Sequence, residues 1–359
     1  MTTISANITT WNDLAVEFYL DLFEYFDLQE ILMTFWNISQ RMNNIITNSH
    51  LHLSLDLSLM TEDKEFKQIC SIIENNICPS QLISIQSPYA YHHFKTKFNF
   101  HKFNCLRSLT IWEVDSNEID FILSQLSKLE YLSVLIYSCN TENTEFSHFF
   151  VRVLQMFTLR KLRLLTTYSD DPLNLTLPLT TRIQSSNIEY LTIETRFDLQ
   201  LLKLFPKLRY LNISMDASSI DDANVEIITL FDLTTLILHL LYDGTFNDLR
   251  LKLLKLAPNI RTLNINGKVC EYNESHFIDS DQWIQFLSSF KKLKQVKLEI
   301  CIKIDYDSID IDDLEESLRI FNNNLSLKEH HLLINSEELN EDDYERGPDF
   351  IITSDYKEK

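Results

Sequence analysis

Histidines come in adjacent pairs, His92/His93 and His330/His331. An adjacent pair is a poor metal clamp, because neighbours on a strand face opposite sides. Neither pair belongs to an H-E-x-x-H run or has cysteines at ligand spacing. Cys70, Cys78, Cys105, Cys139, Cys270 and Cys301 form no C-x-x-C pair. Most sit in apolar runs such as FKQICSII and LEICIKI, where a free thiol acts as a small hydrophobe. Serine, histidine and aspartate are plentiful, but no nucleophile elbow or activated-cysteine context is present. The three glycines, Gly244, Gly267 and Gly347, stand too far apart to build a phosphate-cradling loop. Catalysis, a metal and a cofactor are therefore not expected. The chemistry that remains is recognition: rigid amphipathic tyrosines and a few cations at regular spacing.

Those residues sit in a recurring hexapeptide, L-x-x-L-x-L, with Ile or Val allowed for Leu. It reads LRSLTI (from Leu106), LEYLSV (Leu129), LRKLRL (Leu159), IEYLTI (Ile188), LRYLNI (Leu208), LTTLIL (Leu233), IRTLNI (Ile260) and LKQVKL (Leu293). QLISI around Leu82 is a degenerate first copy. Start-to-start spacings are 23, 30, 29, 20, 25, 27 and 33 residues. Helical runs precede several copies: FSHFFVRVLQMF with Phe146, Phe149, Phe150, Val153, Leu154 and Phe157 on one face; DLQLLKLF before Pro206; LRLKLLKL before Pro258; and DSDQWIQFLSSF, N-capped at Asp279 or Asp281. A helix-turn-strand unit cannot bury its apolar edge alone, so stacking is predicted, with parallel strands on a concave side and helices on a convex wall. An ordinary parallel α/β domain is the competing reading. In the stacked reading, third and fifth hexapeptide positions face solvent in columns. Tyr131, Lys161, Tyr190 and Tyr210 are predicted to form one line, with Arg163, Thr192 and Asn212 beside it. This is the candidate substrate surface, suited to an acidic or phosphorylated segment; the alternative is that tyrosine is simply a good β-former there.

The N-terminal stretch has another character. LAVEFYLDLFEY repeats Leu14, Phe18, Leu22 and Tyr25 at helical spacing. DLQEILMTFW follows, with Asp27 and Glu30 placed as a capping box. A third helix, over roughly 37–48, carries Ile38, Met42, Ile45 and Ile46. LHLSLDLSL then alternates like a strand with one buried face, and a helix with Phe66, Ile69, Ile73 and Ile77 runs to Pro79. No Gly/Ser/Pro-rich linker separates Asn48 from Leu51, so the helices should be held rigidly on the first repeat.

This segment resembles an F-box. LAVEF (14–18) stands for L-P-x-E-L, with Ala15 at the proline, and LFEYF (22–26) stands for I-F-x-Y-L. Glu30/Ile31 form the acidic-apolar pair, and FWNISQRMNNII places Phe35, Ile38, Arg41 and Met42 on the third-helix pattern. The repeats downstream are similar to the irregular leucine-rich repeats found behind F-boxes. The resemblance implies the substrate-selecting subunit of a cullin-type ubiquitin ligase, docking on a Skp-family adaptor and through it on a cullin. The protein would supply proximity, not catalysis. Leu14, Phe18, Leu22, Phe23, Phe26, Ile31 and Phe35 are the expected adaptor-binding residues, more apolar surface than three short helices can hide. The alternative is a leucine-rich-repeat scaffold whose N-terminal helices merely cap the repeats.

The expected organisation is thus an F-box over 9–48, a connecting strand and helix over 49–81, and a solenoid with its C-terminal cap over 82–335. An acidic tail over 336–359 is expected to be solvated. Between Asp305 and Glu345, acids far outnumber the two basic residues, Arg319 and Lys328, and Ile311, Leu314, Leu318 and Phe321 suggest a capping helix. The net charge of -20 opposes binding to nucleic acid and anionic membranes, so the expected partners are proteins. No signal peptide and no apolar stretch of spanning length is read, and the unpaired thiols suit a reducing, cytoplasmic or nuclear setting.

Overall fold

The computed structural model of the chain describes residues 14–58, 63–87, 100–114, 116–137, 143–167, 185–196, 199–216, 228–242, 246–271, 279–304, 316, 319–323, 333–336 and 349–357. The chain divides into two compact units, Met1–Tyr137 and Ser138–Lys359, so the boundary falls inside the stretch expected to be one solenoid.

The first unit opens with three short helices, α1 (Val16–Phe23), α2 (Leu28–Phe35) and α3 (Gln40–Ile46). Asp27 and Glu30 close the predicted capping box around α2, with Asp27 Oδ1 accepting from the Glu30 N–H at 2.7 Å. Asn37 takes a left-handed φ of 65°, and the Ser39 hydroxyl accepts from the Met42 N–H. That break starts α3 later than the pattern suggests and leaves Ile38 exposed. Strand β1 (Leu53–Asp56) follows, then α4 (Asp63–Asn76), β2 (Leu82–Ser87), β3 (Ser108–Val114), α5 (Ser116–Ser124) and β4 (Tyr131–Tyr137). β1 pairs parallel with β2, β2 with β3, and β3 with β4. Leu51, Leu53, Leu55 and Leu57 are buried, as the alternation requires. Ile69 and Ile73 are buried along α4, and Ile77 just past its end.

The second unit contains α6 (Asn143–Gln155), β5 (Lys161–Thr167), β6 (Tyr190–Arg196), β7 (Tyr210–Asp216), β8 (Thr235–Tyr242), α7 (Phe246–Leu256), β9 (Thr262–Glu271), α8 (Ser280–Ser288) and β10 (Gln295–Ile304). β5 through β10 pair in chain order, all parallel. At each step from β5/β6 onward, one carbonyl at the second hexapeptide position accepts from two N–H groups of the next copy. Arg160 serves Glu189 and Tyr190, and Glu189 serves Arg209 and Tyr210. This fork fixes the register that aligns equivalent residues. The first, fourth and sixth positions are buried, as in Ile188, Leu191 and Ile193, or Leu208, Leu211 and Ile213, with half-buried Leu293 in the last copy the exception. Phe149, Phe150, Trp283 and Phe286 complete the core.

Three expectations change here. DLQLLKLF forms a 3-10 helix, Leu199–Leu204, not an α-helix. The copies on either side start only 20 residues apart, and a 3-10 helix covers more distance per residue, about 2.0 against 1.5 Å. Phe157 lies 65 % exposed, beyond the end of its helix and off the expected face. The supposed solvated tail contains a strand: β12 (Asp349–Lys357) pairs antiparallel with β10 along all nine of its residues, and β11 (Leu333–Ser336) pairs antiparallel with β12. DFIITSDYK is rich in β-formers, and pairing covers the edge that β10 would otherwise present. Phe321 is fully buried, while 311, 314 and 318 lie outside the described residues.

Candidate functional site

Two surfaces carry residues singled out by the sequence. On the N-terminal helices, the buried face of α1 is formed by Tyr19 and Phe23, not by the Leu14/Phe18/Leu22/Tyr25 series. The helix is apolar nearly all round, so spacing alone does not choose a face. Packing does: Phe23 meets Phe35 at 5.2 Å between ring centroids and Tyr19 at 6.3 Å, both in tilted geometry. Phe23 and Ile31 are therefore core residues, 1 % and 0 % exposed, and the expectation that they contact a partner is corrected. Phe18 is 48 % exposed and Phe26 is 37 % exposed, while Leu14, Leu22 and Phe35 are half-buried. Tyr25, Met33 and Ile38 are exposed as well; Met33 was missed because it sits inside a run that reads as core.

The helices are tied down at both ends. The Arg41 guanidinium donates to the Leu14 carbonyl at 2.6 Å, closing α3 on the start of α1. Gln81 is fully buried at the entry to β2, and its Nε2 donates to the carbonyls of Ile46 and Asn48 at 3.0 and 2.8 Å. Its Oε1 accepts from the Cys78 N–H at 3.0 Å. This side chain, which no periodicity marks, ties the end of α3 to the entry of β2. Among the described residues, Cys70, Cys78, Cys105 and Cys301 form no disulfide.

The second surface is the solvent face of the sheet in the second unit. Lys161, Tyr190 and Tyr210 stand in register on β5, β6 and β7, continued by Thr235 on β8. Beside them Arg163, Thr192 and Asn212 form the parallel row. The Tyr190 and Tyr210 rings lie 6.1 Å apart, and Lys161 Nζ sits 5.0 Å above the Tyr190 ring, a cation-π distance. Burial pushes the Tyr210 phenol above its ordinary value, outweighing the Asn212 side-chain hydrogen bond and nearby Arg163, which pull it down. Tyr131 belongs to the first unit, where it registers with Ser108.

The tyrosine row opens onto a pocket of about 590 Å³ at the N-terminal ends of β6–β9. Its wall includes Tyr190, Tyr210, Phe231, Arg209, Arg261 and Lys292, together with Asp232. Phe231 is 68 % exposed. The cations come from positions just before, or second within, the hexapeptides, which the column of third and fifth positions leaves out. The same rim carries exposed Arg160, Lys207, Lys291 and Lys294; against these stand Glu189 and Asp232. Glu189 is shared between Arg160 at 3.0 Å and Arg209 at 3.7 Å. Asn187 and Asn259, each preceding a hexapeptide, donate through Nδ2 to the carbonyls of Phe157 and Phe231, holding the turns that project those rings. The result is a cationic, aromatic rim on a chain of net charge -20.

Among the described residues, no three His, Cys, Asp or Glu side chains gather as a metal site, and no helix is long and apolar enough to cross a membrane. His92, His93, His330 and His331 lie outside the described residues. Compared with known families and proteins, the chain matches no family model and no curated protein at a significant level, so its function is read from these surfaces.

Proposed function

We propose that the chain is the substrate-selecting subunit of a cullin-type ubiquitin ligase, working in the cytoplasm or nucleus. In this reading its N-terminal helices are an F-box that docks on a Skp-family adaptor, and its repeats are a leucine-rich-repeat solenoid that grips a substrate protein without enzymatic action of its own. The observation that carries the reading is an apolar strip left uncovered on helices that are otherwise firmly anchored. Phe18, Phe26 and Met33 stay exposed, with Leu14, Leu22 and Phe35 half-buried, while Arg41 and Gln81 hold the helices in place. An anchored surface that leaves large apolar side chains in water marks an interface. It also suits a ligase, in which a rigid subunit fixes the substrate's distance from the transferring enzyme.

The competing reading, a repeat scaffold with helical capping, draws on β1 and its buried leucines continuing the sheet of the first unit. Co-expression of the full chain with a Skp-family adaptor separates the two. A stoichiometric complex lost on Phe18→Ala/Phe26→Ala, with thermal unfolding unchanged, supports the ligase subunit. No complex leaves the scaffold.

A further inference from the structure

The rim's cations lie outside the columns assigned to substrate above but adjoin the Tyr190/Tyr210 row, and their charge opposes that of the chain. Arg209 and Arg261 are rooted two strands apart with Thr234 between them, about 10 Å at a strand spacing of ~4.8 Å. In an extended peptide, acids at i and i+2 are about 7 Å apart, within reach of two such guanidinium groups. Lys292 adds a third charge to the same pocket, and the rings of Tyr190, Tyr210 and Phe231 supply apolar contact beside it.

We propose that this pocket, in which Arg209, Arg261 and Lys292 meet Tyr190, Tyr210 and Phe231, binds an acidic peptide segment containing an aromatic residue. The inference rests on reading this sheet as the substrate-gripping surface and adds the chemistry of what it grips. Acids are matched by the cations, and the aromatic side chain by the exposed rings. The chain's own charge selects a short ligand. A nucleic acid or anionic bilayer extends its charge well past the patch into a repulsive field, whereas a short acidic segment meets only what lies within a Debye length of ~8 Å.

The test uses the full chain alone, without adaptor, so a failed ligase reading leaves it untouched. The probe is a fluorescein-labelled dodecapeptide of glutamate with two phenylalanines, followed by anisotropy. Saturable binding is expected, weakening as salt rises. Arg261→Glu/Lys292→Glu should weaken it at least tenfold with thermal unfolding unchanged; both side chains are exposed. Arg261→Gln/Lys292→Gln serves should the reversal unfold. Tyr190→Ala/Tyr210→Ala should weaken binding of this probe but not of its phenylalanine-free counterpart. The proposal is overturned if the peptide binds equally well to the charge-reversed chain or does not bind at millimolar concentration. It is overturned too if a single-stranded RNA of about 20 nucleotides binds as tightly through the same cations. Self-association of the chain that the reversal abolishes would make the occupant a second copy, and would also overturn it.

Discussion

Replacing Gln81 by leucine removes the amide that joins α3 to the entry of β2 while nearly preserving side-chain volume. Gln81 Nε2 serves the Ile46 carbonyl, in the last turn of α3 where no further helical N–H arrives, and the Asn48 carbonyl, which also accepts from the Leu51 N–H. At roughly 1 kcal/mol for each of these two bonds to the helices, the loss of attachment is about 2 kcal/mol, the Cys78 bond lying on the β2 side and not crossing the joint. If the helices open locally from the sheet, about 2 kcal/mol raises the open population about 25-fold, at 1.4 kcal/mol per decade. Proteinase K cleavage between Thr47 and His52 reads that population when reclosing is faster than cutting. The expected result is a cleavage rate up by about that factor, with fragments ending in that window. A change below about threefold would refute the reasoning, since the amide would then not be what holds the helices.

Within α1, Phe23→Ala should cost about 3–5 kcal/mol in denaturant unfolding, while Phe18→Ala should stay within about 0.5 kcal/mol; equal costs would mean the helix buries its other face. Gly267 holds a φ of +131°, and a Cβ there would overlap the Leu240 carbonyl oxygen of the neighbouring strand. Gly267→Ala should therefore cost at least about 3 kcal/mol, visible as a lowered urea midpoint, and an unchanged midpoint would refute the close approach of β8 and β9. In an alkaline ultraviolet titration, Tyr210→Phe should remove a phenol that ionises above the ordinary 10.0. Because the folded state holds this proton longer than the unfolded chain, Tyr210's contribution is complete below pH 10.0 and is lost as pH rises through the folded value; a variant titrating like the parent would contradict the burial.

The strand layout was legible because each hexapeptide keeps its internal pattern: Leu132, Leu162, Leu191 and Leu211 all occupy buried fourth positions, and the Lys161-Tyr190-Tyr210 row follows from parallel register. Helix faces were less legible. α1 is apolar nearly all round, and only the Phe23–Phe35 contact, made across a turn, selects its buried side. The Leu199–Leu204 segment has helical periodicity but too short a span for α geometry. β12 was hidden by charge, because the acids before Asp349 set the impression of a tail, whereas pairing depends on the β-forming residues that follow. The cations of the pocket were missed because they come from turns and second positions of separate copies, from Arg209 to Lys292. Their signal was present as Arg209 and Arg261 recurring at the second position of the hexapeptide, with Lys292 just before one.

The most direct test of the ligase reading is isothermal titration of the purified full chain with a purified Skp-family adaptor. A one-to-one complex should form, and Phe18→Ala/Phe26→Ala should weaken it at least a hundredfold, about 2.7 kcal/mol, without moving thermal unfolding. No heat of binding to the parent chain, or equal affinity for the parent and the double variant, would contradict the docking surface and with it the assignment.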